Sequence, residues 1–263
     1  MQTQAVIDHI VQWLKNYAEQ SGMQGFAIGI SGGVDSAVVS ALAARTGLKT
    51  LLLDMPIRQK ADQVARAKEH ISALKSQFDN VVSQRIDLTQ VFNTFQMELD
   101  MDDRNLPNEK LALANTRSRF RMLTLYYHAQ LHNLLVTGTG NKIEDFGVGF
   151  FTKYGDGGVD ISPIADLLKS QVYQLAEALD VAASIREAAP TDGLWDTDRT
   201  DEEQMGASYA ELEWAMSVHG SKTADDFSGR EREVFEIYDH LNRQMQHKIQ
   251  PIPVCAVPAE LLQ

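Results

Sequence analysis

An α/β protein with a doubly wound, mostly parallel sheet and a helical C-terminal part is predicted by three features of the sequence. Apolar runs of strand length alternate with amphipathic runs of helical period over the first 140 or so residues. The last third reads mostly as helix. No repeat, low-complexity tract or Pro/Gly/Ser linker divides the 263 residues, so residues 1–263 are expected to form one domain.

The elements follow in order. "MQTQAVIDHIVQWLKNYAEQ" mixes polar and apolar residues at helical spacing, which makes it an opening helix and neither a signal nor a transit peptide. "GFAIGI" (25–30) is a buried strand, and "SAVVSALAARTG" is a helix stopped at Gly47. "KTLLLDMP" is a second strand closed by Pro56. "ADQVARAKEHISALKS" is an amphipathic helix, "NVVSQRIDL" a third strand and "TQVFNTFQMEL" a helix. A long helix covers about 109–131, "NLLVTGTG" is the fourth strand, and "ISPIADLLKSQVYQLAEALDV" becomes a helix near its proline. Thr200 with Glu203 and Ser208 with Glu211 have the spacing of capping boxes. Right-handed β-α-β crossovers then give a sheet covered on both faces. Ligands bind outside the carboxyl ends of such strands, so the loops after Ile30 and Val136 should share one rim.

Composition narrows the function classes. A net charge of −12 argues against a nucleic-acid partner, which needs a basic face, but leaves an anionic small molecule open. Cys255 is the single cysteine, which excludes an internal disulfide and a clustered thiolate metal site. No apolar run reaches the roughly 18 residues of a membrane span. A cytoplasmic protein without a membrane partner is expected.

The stretch "GISGGVDS" (29–36) carries the first chemistry. It lacks the Lys-Ser/Thr ending of a Walker A loop and is not a G-x-G-x-x-G fingerprint. Gly32 and Gly33 allow close backbone approach, Ser31 and Ser36 offer hydroxyls, and the following helix points its positive end at the loop. That is an anion nest. A Gly-Gly turn capped by Asp35 or Ser36 is the structural alternative. Asp35 is out of place in a site for polyanions unless a cation lies between it and the ligand.

"SGGVDS" after a first strand resembles the S-G-G-x-D-S loop of the ATP pyrophosphatases, which cleave ATP to AMP and pyrophosphate. Three further stretches resemble one family within them, the NAD synthetases: "GTGNKIE" (138–144), "GFFTKYGDGGVDISPIADLLK" (149–169) and "APT" (189–191). The matches run from about residue 29 to 248, in the compact, ammonia-using form of the family. The resemblance implies a Rossmann-like sheet of the adenine-nucleotide alpha-hydrolase type. It implies a ligase that makes an acyl adenylate on the nicotinic acid carboxylate of deamido-NAD and lets ammonia displace AMP, the last step of NAD biosynthesis. It further implies Mg2+, ATP as co-substrate, and a homodimer with dinucleotide sites at its interface.

Carried over by position, Gly29, Ile30, Ser31, Gly32, Gly33, Val34, Asp35 and Ser36 resemble the ATP-binding loop, and Thr139, Lys169 and Thr191 match further ATP contacts. Arg119, Lys153, Asp160, His247 and Lys248 resemble deamido-NAD contacts, and Asp35 and Glu144 the metal ligands. Asp156, in "YGDGG", is the candidate catalytic residue, taking the proton from the attacking amine. "DFGV" after Glu144 is one residue longer than the commoner family pattern, which leaves Asp145 as an alternative ligand.

Several of these residues have plainer readings. On one helix Arg117 and Arg121 share a face and Arg119 points nearly opposite; the resemblance selects Arg119 and leaves the other two solvated or salt-bridged. His247 and Lys248 near a helix end would also complement its dipole. Lys169 opens a helix, the wrong end for such compensation. The acidic run "TDGLWDTDRTDEEQ" reads as a solvated loop, where the resemblance implies instead a mobile cover over the site on which Trp195 would report, and "FRMLTLYYHAQL" reads as core or subunit contact. Rival owners of the loop are the synthetase part of GMP synthetase, tRNA-modifying thiolases and lysidine synthetases, and a non-catalytic adenine-nucleotide sensor. The tRNA enzymes fit the acidic charge poorly.

Overall fold

The computed structural model describes residues 1–99, 106–191, 193–194 and 199–262. Helix α1 (Thr3–Gln20) precedes β1 (Gly25–Gly29), α2 (Val34–Arg45), β2 (Lys49–Asp54), α3 (Ala61–Gln77) and β3 (Val81–Arg85). Helices α4 (Thr89–Met97) and α5 (Glu109–His132) lead to β4 (Leu135–Val136) and a π-helix over Ile143–Val148. The remainder is α6 (Lys169–Ala178), α7 (Ala183–Arg186), α8 (Asp201–Met205), α9 (Tyr209–Val218) and α10 (Gly229–Ile249).

The four strands form one parallel sheet in the order β3-β2-β1-β4. The order reverses between β1 and β4, so the crevice at their carboxyl ends is where such a sheet takes a ligand. Alternation along the strands divides the core. Phe26 and Ile28 of β1 and Leu52 of β2 pack with α1, α2 and α6, whereas Ala27, Leu51 and Leu53 face the α4–α5 side with Phe92 and Ala129. Helix α1 buries Ile7, Ile10, Leu14 and Ala18, one stripe at helical period. Helix α2 is buried along most of its length, which holds the loop at its N-terminus rigidly. A third apolar cluster joins the π-helix to α9 and α10 through Ile143, Val148, Leu212 and Tyr238.

Three elements are clearly shorter than the sequence predicts, the third strand being confined to Val81–Arg85. The fourth strand is confined to Leu135–Val136, because beyond it only Thr137 still bridges, to Ile161, before the chain turns toward the crevice. The helix expected from the proline at 163 begins at Lys169, after turns in which the Leu167 N–H donates to the Ile164 carbonyl and Gln171 Oε1 accepts the Leu168 N–H. Both predicted capping boxes are present: Thr200 Oγ1 accepts from the Glu203 N–H and Ser208 Oγ from the Glu211 N–H.

One buried contact between α2 and α3 makes stability depend on pH. His70 is 4% exposed, and its Nε2 lies 2.8 Å from Ser40 Oγ, whose own hydroxyl donates to the Ser36 carbonyl one turn earlier. Burial pushes the imidazole down from 6.5 to about 4, with Glu69 opposing. The unfolded chain therefore binds the proton first, and this stability is lost as pH falls from about 6.5 to about 4. At about 1.4 kcal/mol per tenfold change in proton affinity, the loss is about 3 kcal/mol. Urea unfolding across that range should show the slope in the parent and not in His70→Leu; an unchanged slope in the variant would assign it elsewhere.

Candidate active site

The loop after β1 is built by close backbone approach. Gly32 has φ +84°, and a Cβ there would meet the Gln63 carbonyl oxygen at 2.6 Å, so only glycine lets α3 cover the loop. Ser36 Oγ donates to the Gly33 carbonyl at 3.0 Å and accepts the Ser31 N–H at 3.3 Å, which leaves the amides of Gly32 and Val34 at the mouth of α2. Arg66 of α3 donates through Nε to the Gly32 carbonyl at 3.3 Å.

Across the crevice the chain after β4 supplies the second wall. Residues Ile143–Val148, which include the "DFGV" stretch, wind as a π-helix, whose turn holds one residue more than an α-turn. The fully buried Asn141 sets its entry: its Oδ1 accepts the N–H groups of Ile143 and Glu144, and its Nδ2 donates to Asp35 Oδ1 at 3.2 Å. Glu144 thereby faces Asp35, while the Asp145 carboxylate turns toward Gly140, where a Cβ would meet its Oδ1 at 2.2 Å. Burial, then Glu144, Asp156 and Asp35, raise the Asp145 carboxyl to about 8.

Lys169 stands at the centre. Its Nζ is 2.5 Å from Asp35 Oδ2 and 3.1 Å from Glu144 Oε1, with a side chain only 4% exposed. The ammonium also lies 4.7 Å from the centre of the Tyr209 ring. Burial alone would lower the lysine; Asp35 and Glu144 more than offset it, so Lys169 stays charged. Burial raises the Asp35 carboxyl, and Lys169 opposes the rise. Tyr209 OH donates to Glu144 Oε1 at 2.6 Å, and burial followed by the Glu144 charge pushes the phenol far above its usual range.

Two carboxylate oxygens thus converge on one positive centre, a hard-oxygen pair that suits Mg2+ when phosphate and water complete the shell. Among the described residues no group of three or more His, Cys, Asp or Glu is arranged to hold a metal by itself.

Asp156 closes the far end of the cleft. Its Oδ1 accepts from Ser118 Oγ at 2.6 Å and from the Thr152 N–H at 3.0 Å, and its own N–H donates back to Ser118 Oγ at 2.8 Å. All the loop residues Gly29–Ser36, with Thr139, Glu144, Asp156, Lys169 and Thr191, line this one cleft. Ser118, Arg121, Met122 and Leu125 form its α5 wall at helical spacing.

The predicted deamido-NAD residues lie outside the cleft. Lys153 Nζ donates to the His247 carbonyl, Lys248 Nζ to the Phe151 carbonyl at 2.6 Å, and Arg119 to the Lys153 carbonyl at 3.3 Å, which gathers four of them where α10 ends beside α5. Asp160 sits apart, accepting from the Val136 N–H at 2.8 Å and from Tyr126 OH at 3.0 Å.

The solvated reading of Arg117 and Arg121 is corrected. Arg117 is buried, donates to the Leu194 carbonyl and lies 4.8 Å from the Phe92 ring centre; Arg121 donates to the Met55 carbonyl and to Gln59 Oε1. Their shared face is the one α5 turns to the sheet. Trp195 lies outside the described residues.

Sequence reasoning missed Tyr209, Asn141 and Ser118 as contributors. Asn141 lies inside a quoted motif, and Ser118 could have been found from the α5 periodicity. Nothing near Tyr209 in the sequence signals its partner 65 residues away.

A family model described as NAD synthase matches residues 6–252. An NH3-dependent NAD+ synthetase of Syntrophomonas wolfei is 37% identical over 99% of this chain and 99% of its own length. Among solved structures, an NMN synthetase from Francisella tularensis has a TM-score of 0.83 at 31% identity, covering 98% of this chain and 99% of that one. An NH3-dependent NAD synthetase from Campylobacter jejuni has a TM-score of 0.77 at 23% identity, covering 97% and 100%, and shows the same fold.

Proposed function

The chain belongs to the NAD synthase family, and on that premise we propose that it amidates the nicotinic acid carboxylate of deamido-NAD with ammonia at the expense of ATP. The observation that carries the reading is the meeting of the anion loop, the Asp35–Lys169–Glu144 cluster and Asp156 in one cleft at the switch point of the sheet. A carboxylate resists amine attack, so it must first gain a leaving group; adenylylation supplies one and releases pyrophosphate. The loop amides of Gly32 and Val34, with the Ser31 and Ser36 hydroxyls, hold the phosphates, and Thr139 and Thr191 lie along the same channel. Asp35 and Glu144 are the residues that would hold Mg2+, and the ion would supply positive charge against the pyrophosphate leaving group. Lys169 adds a positive charge on the same side, and Asp156 takes the proton of the attacking amine. Asp145 lines the cleft beside them.

Arg119, Lys153 and Lys248 present positive charge outside the cleft for the anionic parts of the dinucleotide, with the His247 ring beside them as a hydrogen-bonding group and Asp160 as a further contact. A homodimer extends that surface: α5 leaves Leu123, Tyr127 and Leu131 exposed at one-turn spacing, a stripe suited to a second copy. The whole of residues 1–263 acts as one catalytic unit in the cytoplasm; among the described residues no helix is long and apolar enough to cross a membrane.

A second acceptor, nicotinic acid mononucleotide, is favoured by two observations. The relative with the TM-score of 0.83 is named an NMN synthetase, and the five residues assigned to the dinucleotide all lie outside the cleft.

The purified chain should release pyrophosphate from ATP with ammonium and deamido-NAD and show little turnover with glutamine alone. Glutamine use requires an activated nucleophile, and the one cysteine, Cys255, is exposed in the C-terminal segment. Cys255→Ala should keep near-parental activity. Robust glutamine-dependent turnover would end the ammonia reading, and a higher kcat/KM for the mononucleotide would move the acceptor assignment.

A further inference from the structure

A lysine at the first position of a helix faces the positive end of the helix dipole, the least favourable place for a cation. Burying it there costs more still unless paired charges compensate. Lys169 is nevertheless held from every side. Asp35 and Glu144 flank its Nζ at 2.5 and 3.1 Å, and the Tyr209 ring lies 4.7 Å away. Asn141 fixes one Asp35 oxygen and Tyr209 OH fixes Glu144 Oε1, the same oxygen that meets the ammonium.

The geometry creates a conflict. A magnesium ion needs its oxygens at about 2.0–2.1 Å, and drawing on the oxygens Asp35 Oδ2 and Glu144 Oε1 it would lie almost where the ammonium already sits. Two cations cannot share that space. Displacing Lys169 without giving it a new anion would leave a buried charge unpaired. A triphosphate on the adjoining loop resolves both problems, because it supplies an anion for Lys169 and oxygens for the metal together.

Resting on the reading that Asp35 and Glu144 are the metal ligands, we propose that Lys169 is the resident cation of that carboxylate pair. It excludes free divalent ions, so the metal enters this site only together with nucleotide phosphates, which draw the lysine away. Lys169 is then a positioning residue that makes metal binding conditional on ATP, besides being an ATP contact.

The test is Mn2+ binding to the full chain, read as loss of the free-ion paramagnetic resonance signal, with and without a non-hydrolysable ATP analogue. The parent should bind Mn2+ weakly alone and tightly with the analogue. Lys169→Met should bind Mn2+ without nucleotide at least about tenfold more tightly than the parent, because one positive charge beside both ligands is gone. Lys169→Arg should resemble the parent. Adding Asp35→Asn to Lys169→Met should remove the gain. No gain in Lys169→Met, with Asp35-dependent Mn2+ binding in the presence of analogue, overturns the inference and leaves the metal reading standing. A gain that survives Asp35→Asn places the ion elsewhere and overturns both. Should Lys169→Met fail to fold by circular dichroism, the parent decides: tight, Asp35-dependent Mn2+ binding without nucleotide refutes the proposal, and weak binding that the analogue makes tight supports it.

Discussion

Asp35→Asn is expected to lower magnesium-dependent pyrophosphate release by roughly a hundredfold or more, the scale on which removal of one preorganised electrostatic element acts. A carboxylate about 4 Å from a phosphate charge, at an effective dielectric near 20, costs about 4 kcal/mol per pair. With Mg2+ between them the sign reverses. Asparagine keeps the shape and one oxygen acceptor, and Lys169 retains Glu144 as a partner at 3.1 Å, so the variant should fold. Without Mg2+ it should bind ATP at least as well as the parent, since the repulsion is gone and Lys169 is freer to meet phosphate. ATP affinity measured with and without magnesium in both proteins decides the matter. If the variant keeps the parent's magnesium dependence in binding and in release, Asp35 serves only as a structural partner of Lys169 and Asn141.

The second large effect concerns nitrogen transfer. Ammonium must lose a proton before it attacks, and a positioned base contributes about a hundredfold to ten-thousandfold. Ser118 Oγ and the Thr152 N–H both spend their bonds on Asp156 Oδ1, which orients the carboxylate in the cleft and leaves Oδ2 for an incoming amine. Asp156→Asn can keep both contacts through its amide oxygen. It should therefore still form acyl adenylate from ATP and acceptor but amidate it a hundredfold or more slowly. Single-turnover trapping separates the two steps. Unchanged amidation from acid to alkaline pH would remove Asp156 from the mechanism, whereas an equal loss in both steps would make it a binding residue.

Much of this architecture was legible locally. The run "GFAIGI", two glycines and a helix with no early proline can hardly form anything but strand, loop and helix, because each choice is set by near-neighbour sterics and apolar period. Ser208 and Glu211 cap α9 for the same reason: both partners lie within one turn. The motifs also marked the loop Gly29–Ser36 and Thr139, Glu144, Lys169 and Thr191, which line the cleft, but not Gln63 and Arg66 of α3, which cover the loop from about 30 residues away. Periodicity placed Arg117 and Arg121 on one face of α5 but carried no information about which face meets the sheet, so their inward roles escaped it.

What the sequence determined by itself is the order of elements, the anion loop and the kinds of side chain available to the chemistry. What only the tertiary structure decided is which of them meet. Asp35, Glu144, Lys169 and Tyr209 are scattered over 175 positions, and nothing local relates them. They converge because β1 and β4 lie side by side, α6 packs on α2, and the cluster of α9, α10 and the π-helix presses Tyr209 against Glu144. Those packings are set by burial of apolar faces far from the site, and burial is non-directional along the chain. The choice between Glu144 and Asp145 has the same cause: the π-helix satisfies the backbone, but it is the fit of Ile143 and Val148 into the third core that turns Glu144 toward Lys169 and Asp145 toward Gly140.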